Sequence, residues 1–242
     1  GMYVKDADGL SSNSVNVNEK SIAYYADGAS GEIKITGTSS IGKNSTLLAA
    51  ANGGKIDYQS GAINLGDERY GALIDGAASV IDFGGNDITV GEKSVAVMLK
   101  NGGLLNNTLH DINVGKAGVG IYLADATNVI SPASRTINLA ENATGIYGDN
   151  GGNIQLDGNI LSAADGAKGI ASKNSALSNI ENAGNIDLSG KASVGMYGEG
   201  IDTIKNNSGK TIKIGDSNTA TGKAGVGLFG LNSVYVINEG SI

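Results

Sequence analysis

Two carboxylates, Asp57 and Asp82, occupy similar places in Lys55-Ile56-Asp57-Tyr58 and Val80-Ile81-Asp82-Phe83. Stacked on neighbouring strands they would lie about 5 Å apart, close enough to share a proton or a cation. Acid–base cleavage of a polysaccharide would need a basic partner as well, and no Lys, Arg or His cluster accompanies them. The only histidine, His110, falls one repeat further on in a turn-like segment. A lone histidine there reads first as a surface turn residue.

Other motifs point elsewhere. Gly118 and Gly120 form a Gly-x-Gly, but a dinucleotide site needs a third glycine and a following helix. Asp6-Ala7-Asp8-Gly9 begins like a calcium loop, yet the downstream ligands and terminal Glu of an EF-hand are missing, so an ordinary Asp/Gly turn is expected. No metal and no cofactor is implied. The remaining candidates are aromatic: Tyr3, Tyr25, Tyr122, Tyr147, Tyr197 and Phe229, six of the eleven aromatic residues of the chain, each standing two positions after a recurring Gly or Ala.

That recurrence positions everything else. Lys116-Ala-Gly-Val-Gly-Ile-Tyr122 returns as Lys223-Ala-Gly-Val-Gly-Leu-Phe229, with weaker copies between and before them. Anchoring on the Gly or Ala, and admitting Leu47 and Gly71 as degenerate copies, places repeats at 1, 23, 47, 71, 96, 120, 145, 169, 195 and 227. A period near 24 held across all 242 residues, without a linker, predicts a solenoid. Residues 1–242 therefore read as one continuous unit. Gly1-Met2-Tyr3 already fits the repeat, which suggests a segment cut from a longer array; a tag remnant ahead of a native start methionine is the alternative.

Within each period an aliphatic-polar-aliphatic triplet recurs, as in Ile63-Asn64-Leu65, Ile88-Thr89-Val90, Ile112-Asn113-Val114 and Ile137-Asn138-Leu139. Alternation of period two marks a strand. Between the anchor and this triplet lies a third run, such as Asn153-Ile154-Gln155-Leu156, often followed by Asn and Gly. Three short strands and three turns per period describe one coil of a parallel β-helix, with about ten coils and a length of roughly 50 Å. The leucine-rich repeat has a similar period but needs leucines in a frame this chain lacks.

Stacking predicts columns. The residues just after the anchor, from Met2 and Tyr24 to Met196 and Leu228, are apolar in every coil and should form the core. By strand parity Ile22, Val95, Val119, Val194 and Val226, one before the anchor, should also point inward, with Lys168 as a local exception snorkelling to water. The anchor and the aromatic column should then face outward; the opposite assignment would bury the tyrosines. The polar column Asn16, Asn64, Thr89, Asn113 and Asn138 suits a hydrogen-bonded ladder, or a sugar-binding face beside the rings. The long last step is expected to carry inserted residues at Ile201-Asp202-Thr203 and at Asp216–Gly222.

Composition excludes several classes. A formal charge of −7, with only Arg69 and Arg135 as arginines, gives no nucleic-acid footprint. The absence of cysteine removes disulfides and thiol chemistry. No run approaches the roughly 18 apolar residues of a membrane span, and Met2 is not followed by a signal-like region.

Val194-Gly195-Met196-Tyr197, Ile204-Lys205-Asn206-Asn207, Ile212-Lys213-Ile214-Gly215-Asp216-Ser217 and Ala224-Gly225-Val226-Gly227-Leu228-Phe229 resemble passenger domains of type V autotransporters, in particular the large fusobacterial outer-membrane adhesins of the RadD-like group. The resemblance spans nearly the whole chain. It implies an extracellular right-handed β-helix, anchored to the outer membrane by a C-terminal β-barrel this segment lacks, that attaches cells to bacterial or host surface proteins or glycans. No binding residue carries over, because the shared motifs belong to the scaffold. A carbohydrate-active β-helix enzyme and a direct glycan-binding module are the rival expectations, and end-to-end self-association is expected from uncapped coils.

Overall fold

A computed structural model describes the backbone of residues 1–125, 127–150, 152–232 and 234–242, and the side chains of all of these except 175–177. Every strand pairing between coils is parallel, and the strands stack on three faces into the expected parallel β-helix. On the first face ten strands follow one another, from Met2–Lys5 to Val226–Leu231. Eight coils carry all three strands: the coil beginning at Val95–Lys100 has no second strand, and the tenth stops after Tyr235–Asn238. The complete turns are therefore slightly fewer than the ten anchors suggest.

The interior is filled by aliphatic residues from all three faces. Tyr24, Leu48, Ala72, Val97, Ile121, Ile146, Ile170 and Met196 are buried in one file, as the anchor rule requires. They meet Ile63, Ile88, Ile112, Ile137, Ile186 and Ile212 from the third face. Met2 and Leu228 end the file and are only partly covered.

Parity fails at the anchor. Ala23, Leu47, Gly71, Ala96, Gly120, Gly145, Gly169 and Gly195 are buried although the next residue is buried too, so the pleat is interrupted and the chain bends there. The anchor is an inward corner. A Cβ built on Gly120 would lie 3.1 Å from Ile137 Cγ2, and one on Gly145 would lie 2.9 Å from Ile160 Cδ1 and 2.7 Å from the Gly169 carbonyl oxygen. Small residues recur because the isoleucine of the coil's own third strand fills the corner. The bend also turns the preceding column outward: Ile22, Val95, Val119, Val194 and Val226 are exposed or half-exposed, against the parity expectation, and Lys168 simply belongs to that outer column.

A second regularity lies five residues after each anchor. Asp6, Gly28, Asn52, Gly76, Asn101, Asp125, Asn150, Asn174, Gly200 and Asn232 all have positive φ. Only Asp, Asn and Gly occupy this left-handed corner, since their short or absent side chains tolerate it. Several of the asparagines then bond to the coil before: the amides of Asn52, Asn101 and Asn174 donate to Asp27, Asp75 and Asp149 at 2.7, 2.6 and 2.9 Å. The corner before the first face is left-handed too, yet holds Lys20, Glu68, Lys93, Ala117 and Ala192.

The irregular coil differs from expectation. Ile201–Thr203 is part of the continuous strand Val194–Asn206, paired with the coil before it. Ile214 still pairs with Leu188 and Val226 with Val194, so all the added length falls between Ile214 and Val226. It forms a corner loop closed by an antiparallel bridge between Asn218 and Lys223. Where the coil after Val95 lacks its second strand, Arg135 substitutes for sheet bonding. Its side chain, 1% exposed, donates to the carbonyls of Asn106, Leu109 and His110 at 3.0, 2.7 and 3.3 Å. Burial pulls its pKa down to about 10, still charged at neutral pH.

Two substitutions with opposite signs test the corners. Gly145→Ala should lower stability by about 1–3 kcal/mol by overpacking the isoleucine. Ala117→Gly, at φ 54°, should raise it by up to about 1 kcal/mol by relieving a left-handed alanine. Urea unfolding followed by circular dichroism measures both.

Candidate functional site

The carboxylates singled out by spacing stack as expected, and each has a partner nearby. Asp82 pairs in register with Asp57. Asp57 accepts from Gln59 at 2.9 Å and faces Lys34 at 3.9 Å, while Asp82 accepts the Gly84 amide at 2.8 Å. His110 is exposed and sits 2.7 Å from Asp87 and 3.9 Å from Asp111. The three offer potential ligand atoms within 4.8 Å of one another. Asp87 also accepts the Asp111 amide at 3.0 Å, and Asp111 accepts the Thr136 amide at 2.8 Å, so both carboxylates are engaged in tying one coil to the next. The polar ladder forms in part: Asn113 donates to Thr89 at 3.2 Å and Asn138 to Asn113 at 2.9 Å.

The aromatic column faces outward. Its ten members are paired coil to coil in one unbroken file, from Tyr3 through Tyr25, Ala49, Leu73, Met98, Tyr122, Tyr147, Ala171 and Tyr197 to Phe229. The rings form three pairs, Tyr3–Tyr25, Tyr122–Tyr147 and Tyr197–Phe229, with centroids 5.2, 5.5 and 5.6 Å apart. That separation is set by the distance between coils and lies within the favourable range for ring pairs. Half-exposed Val95, Val119 and Val194 flank the file, making the outer surface of the first face an apolar ribbon unusual for a solvent-facing sheet.

Ala171 interrupts the file between two ring pairs. Tyr147 and Tyr197 are consequently two coils apart, roughly 10 Å, and an open cleft of about 320 Å³ lies between them, lined also by Thr144, Lys168, Lys173, Val194 and Glu199. A second cleft of about 430 Å³ shares Lys168, Val194 and Tyr197 with it and extends past Phe229 to Lys223 and Ala224 of the corner loop. Lys173 places its ammonium 5.9 Å from the Tyr147 ring centre. The Tyr197 hydroxyl donates to Glu199 at 2.7 Å, which together with burial raises its pKa. Burial lowers the Lys168 pKa, and Lys223 nearby lowers it further.

Spacing identified the rings in this surface. It missed Ala171 as a gap and Lys168 and Lys223 as neighbours, since these come together from separate coils. The departure of Lys168 from an otherwise uncharged outer column was the available signal.

His110 gives a pH-dependent readout of the corner clasp. The hydrogen bond to Asp87, with the charge of Asp111, raises its pKa above 6.5, while Arg135 works weakly against this. A raised pKa contributes stability in full below the unfolded-chain value, and that contribution is lost as pH rises through the folded value. The His110 ring proton should titrate above 6.5 by NMR, and Asp87→Asn should move the midpoint back toward it.

Comparison of the chain with protein-family models, curated proteins and solved structures finds no match.

Proposed function

We propose that this chain is a segment of an extracellular adhesin: a β-helical stalk whose ligand contacts run along the aromatic column of the first face. In the full protein it is exported across the outer membrane, held at the bacterial surface by a β-barrel, and attaches the cell to other bacteria or to host surfaces. The observation that carries this reading is the outward file of ring pairs. A sheet face that only had to meet water would not keep Tyr3, Tyr25, Tyr122, Tyr147, Tyr197 and Phe229 in register on its solvent side. Rigid, amphipathic rings at low entropic cost are what a contact surface uses. No helix among the described residues is long and apolar enough to cross a membrane.

The rival is a carbohydrate-active enzyme, and the observation in its favour is the in-register pair Asp57 and Asp82. The engagement of each carboxylate by a neighbouring group favours the scaffold role. An assay of the chain and its Asp57→Asn, Asp82→Asn double variant on a polysaccharide panel decides: cleavage by the parent alone would replace the adhesive reading.

Beads coated with the chain should adhere to bacterial or epithelial cells, and Tyr122→Ala with Tyr147→Ala should reduce capture about tenfold. Undiminished capture by that variant would overturn the assignment to the aromatic column. The isolated chain should also self-associate. Tyr3 and Leu10 at one end and Tyr235, Val236, Ile237 and Ile242 at the other are exposed on unpaired coils. Sedimentation velocity should show larger species growing with concentration, diminished by Ile237→Lys.

A further inference from the structure

We infer that the clefts around Tyr197 bind a carboxylated sugar residue, with its ring against Tyr197 and its carboxylate between Lys168 and Lys223. The inference rests on the proposed role of the aromatic column in ligand contact and names the ligand class at one place along it.

Two kinds of observation meet there. The first is shape. Ala171 leaves Tyr147 and Tyr197 two coils apart, with a cleft between them where a sugar ring can lie against Tyr197. The two clefts, about 320 and 430 Å³, sit at the lower end of the size range of small-molecule sites. The apolar C–H face of a pyranose stacks on such rings, and its hydroxyls can reach Glu199 and Thr144 at the margin.

The second is charge. The chain carries a net −7, and many of its lysines are paired with a carboxylate of the same or a neighbouring coil: Lys34 with Asp57, Lys43 with Glu68, Lys100 with Asp125, Lys116 with Glu141 and Lys213 with Asp187. Lys168 and Lys223 are among several lysines with no ion pair within the described residues, and they differ from the others in lining one cleft together, Lys168 half-buried there. A partly desolvated ammonium beside a second ammonium is unfavourable until an anion arrives. Neutral sugars would leave that cost in place. A carboxylate would remove it, and the corner loop that the long coil adds is what brings Lys223 to the cleft.

The carboxylate could come from a uronic acid or from a sialic acid, and calorimetric titration of the whole chain separates these. Tetragalacturonate and α2,3-sialyllactose are the two probes, with fully methyl-esterified tetragalacturonate and lactose as their uncharged counterparts. At least one acidic probe should bind, its uncharged counterpart about tenfold more weakly. Lys168→Gln with Lys223→Gln should weaken the acidic probe by a similar factor, and Tyr197→Ala should abolish binding. Lys34→Gln, on another face, should change nothing.

Equal binding of charged and uncharged probes, or no binding of either acid, would overturn the inference. So would equal losses in the Lys34 variant and the cleft variant, which would mark nonspecific charge attraction. Bead adhesion lost in the Tyr122, Tyr147 variant while neither acid binds would leave the adhesive reading standing and remove this one alone.

Discussion

In-register parallel stacking is the constraint on which the rest of this molecule depends. Each coil satisfies its backbone donors and acceptors on the coils above and below, at a spacing fixed by the hydrogen bond itself. A residue type that recurs at one offset therefore becomes a column. The interior isoleucines, the left-handed Asn, Asp and Gly corner, the Thr89–Asn113–Asn138 ladder and the outward rings are all products of that single translation. Departures from the repeat are displayed against a regular background, which is why Ala171, Lys168 and the loop before Val226 stand out.

Polar groups are spent mainly on holding coils together. Asn52, Asn101 and Asn174 reach back to carboxylates of the preceding coil, while Asp67, Asp87, Asp111 and Asp165 accept amides of the following one. Near the C-terminal end the same device moves indoors, where fully buried Asn182 donates to buried Asn206 at 2.8 Å and Asn206 to Asn238 at 2.9 Å. A buried amide is tolerable only with its bonds made, and a ladder of identical residues makes them along the axis. Arg135 is the exception in kind. It supports the coil that lacks a second strand by donating to three carbonyls, and its Nη1 has no hydrogen-bond partner among the described residues.

The outer surface of the first face is where the scaffold's economy breaks down. Rings and valines are concentrated on it, whereas strands of the second and third faces such as Glu32–Ile35, Ile63–Leu65 and Asn185–Leu188 alternate buried aliphatic with more exposed polar residues. Aromatic pairs add some stability of their own, about 0.5–1.5 kcal/mol each beyond area burial. That contribution explains pairs, and it does not explain a gap flanked by two of them and bordered by Lys168 and Lys173.

The sequence by itself determined the architecture. A period of about 24, alternating triplets and glycines at constant offsets sufficed for a parallel β-helix, for the core file from Tyr24 to Met196 and for the register of the ring column, whose outward direction was expected by parity and decided by the fold. The column Asp6, Gly28, Asn52 through Asn232 stands in the sequence at a constant offset but is recognised only from the backbone, where positive φ restricts the residue type. Tertiary structure decided what lay at the bend. Strand parity assumes a straight pleat, and the inward corner at Gly120 and its equivalents breaks that assumption, sending Val119 and Lys168 outward and the glycine inward. It also decided the neighbourhood of Tyr197, since residues 144, 168, 197 and 223 share a surface only after the coils have stacked. A one-dimensional repeat states which residues recur, and only closure of each coil states which recurring residues meet.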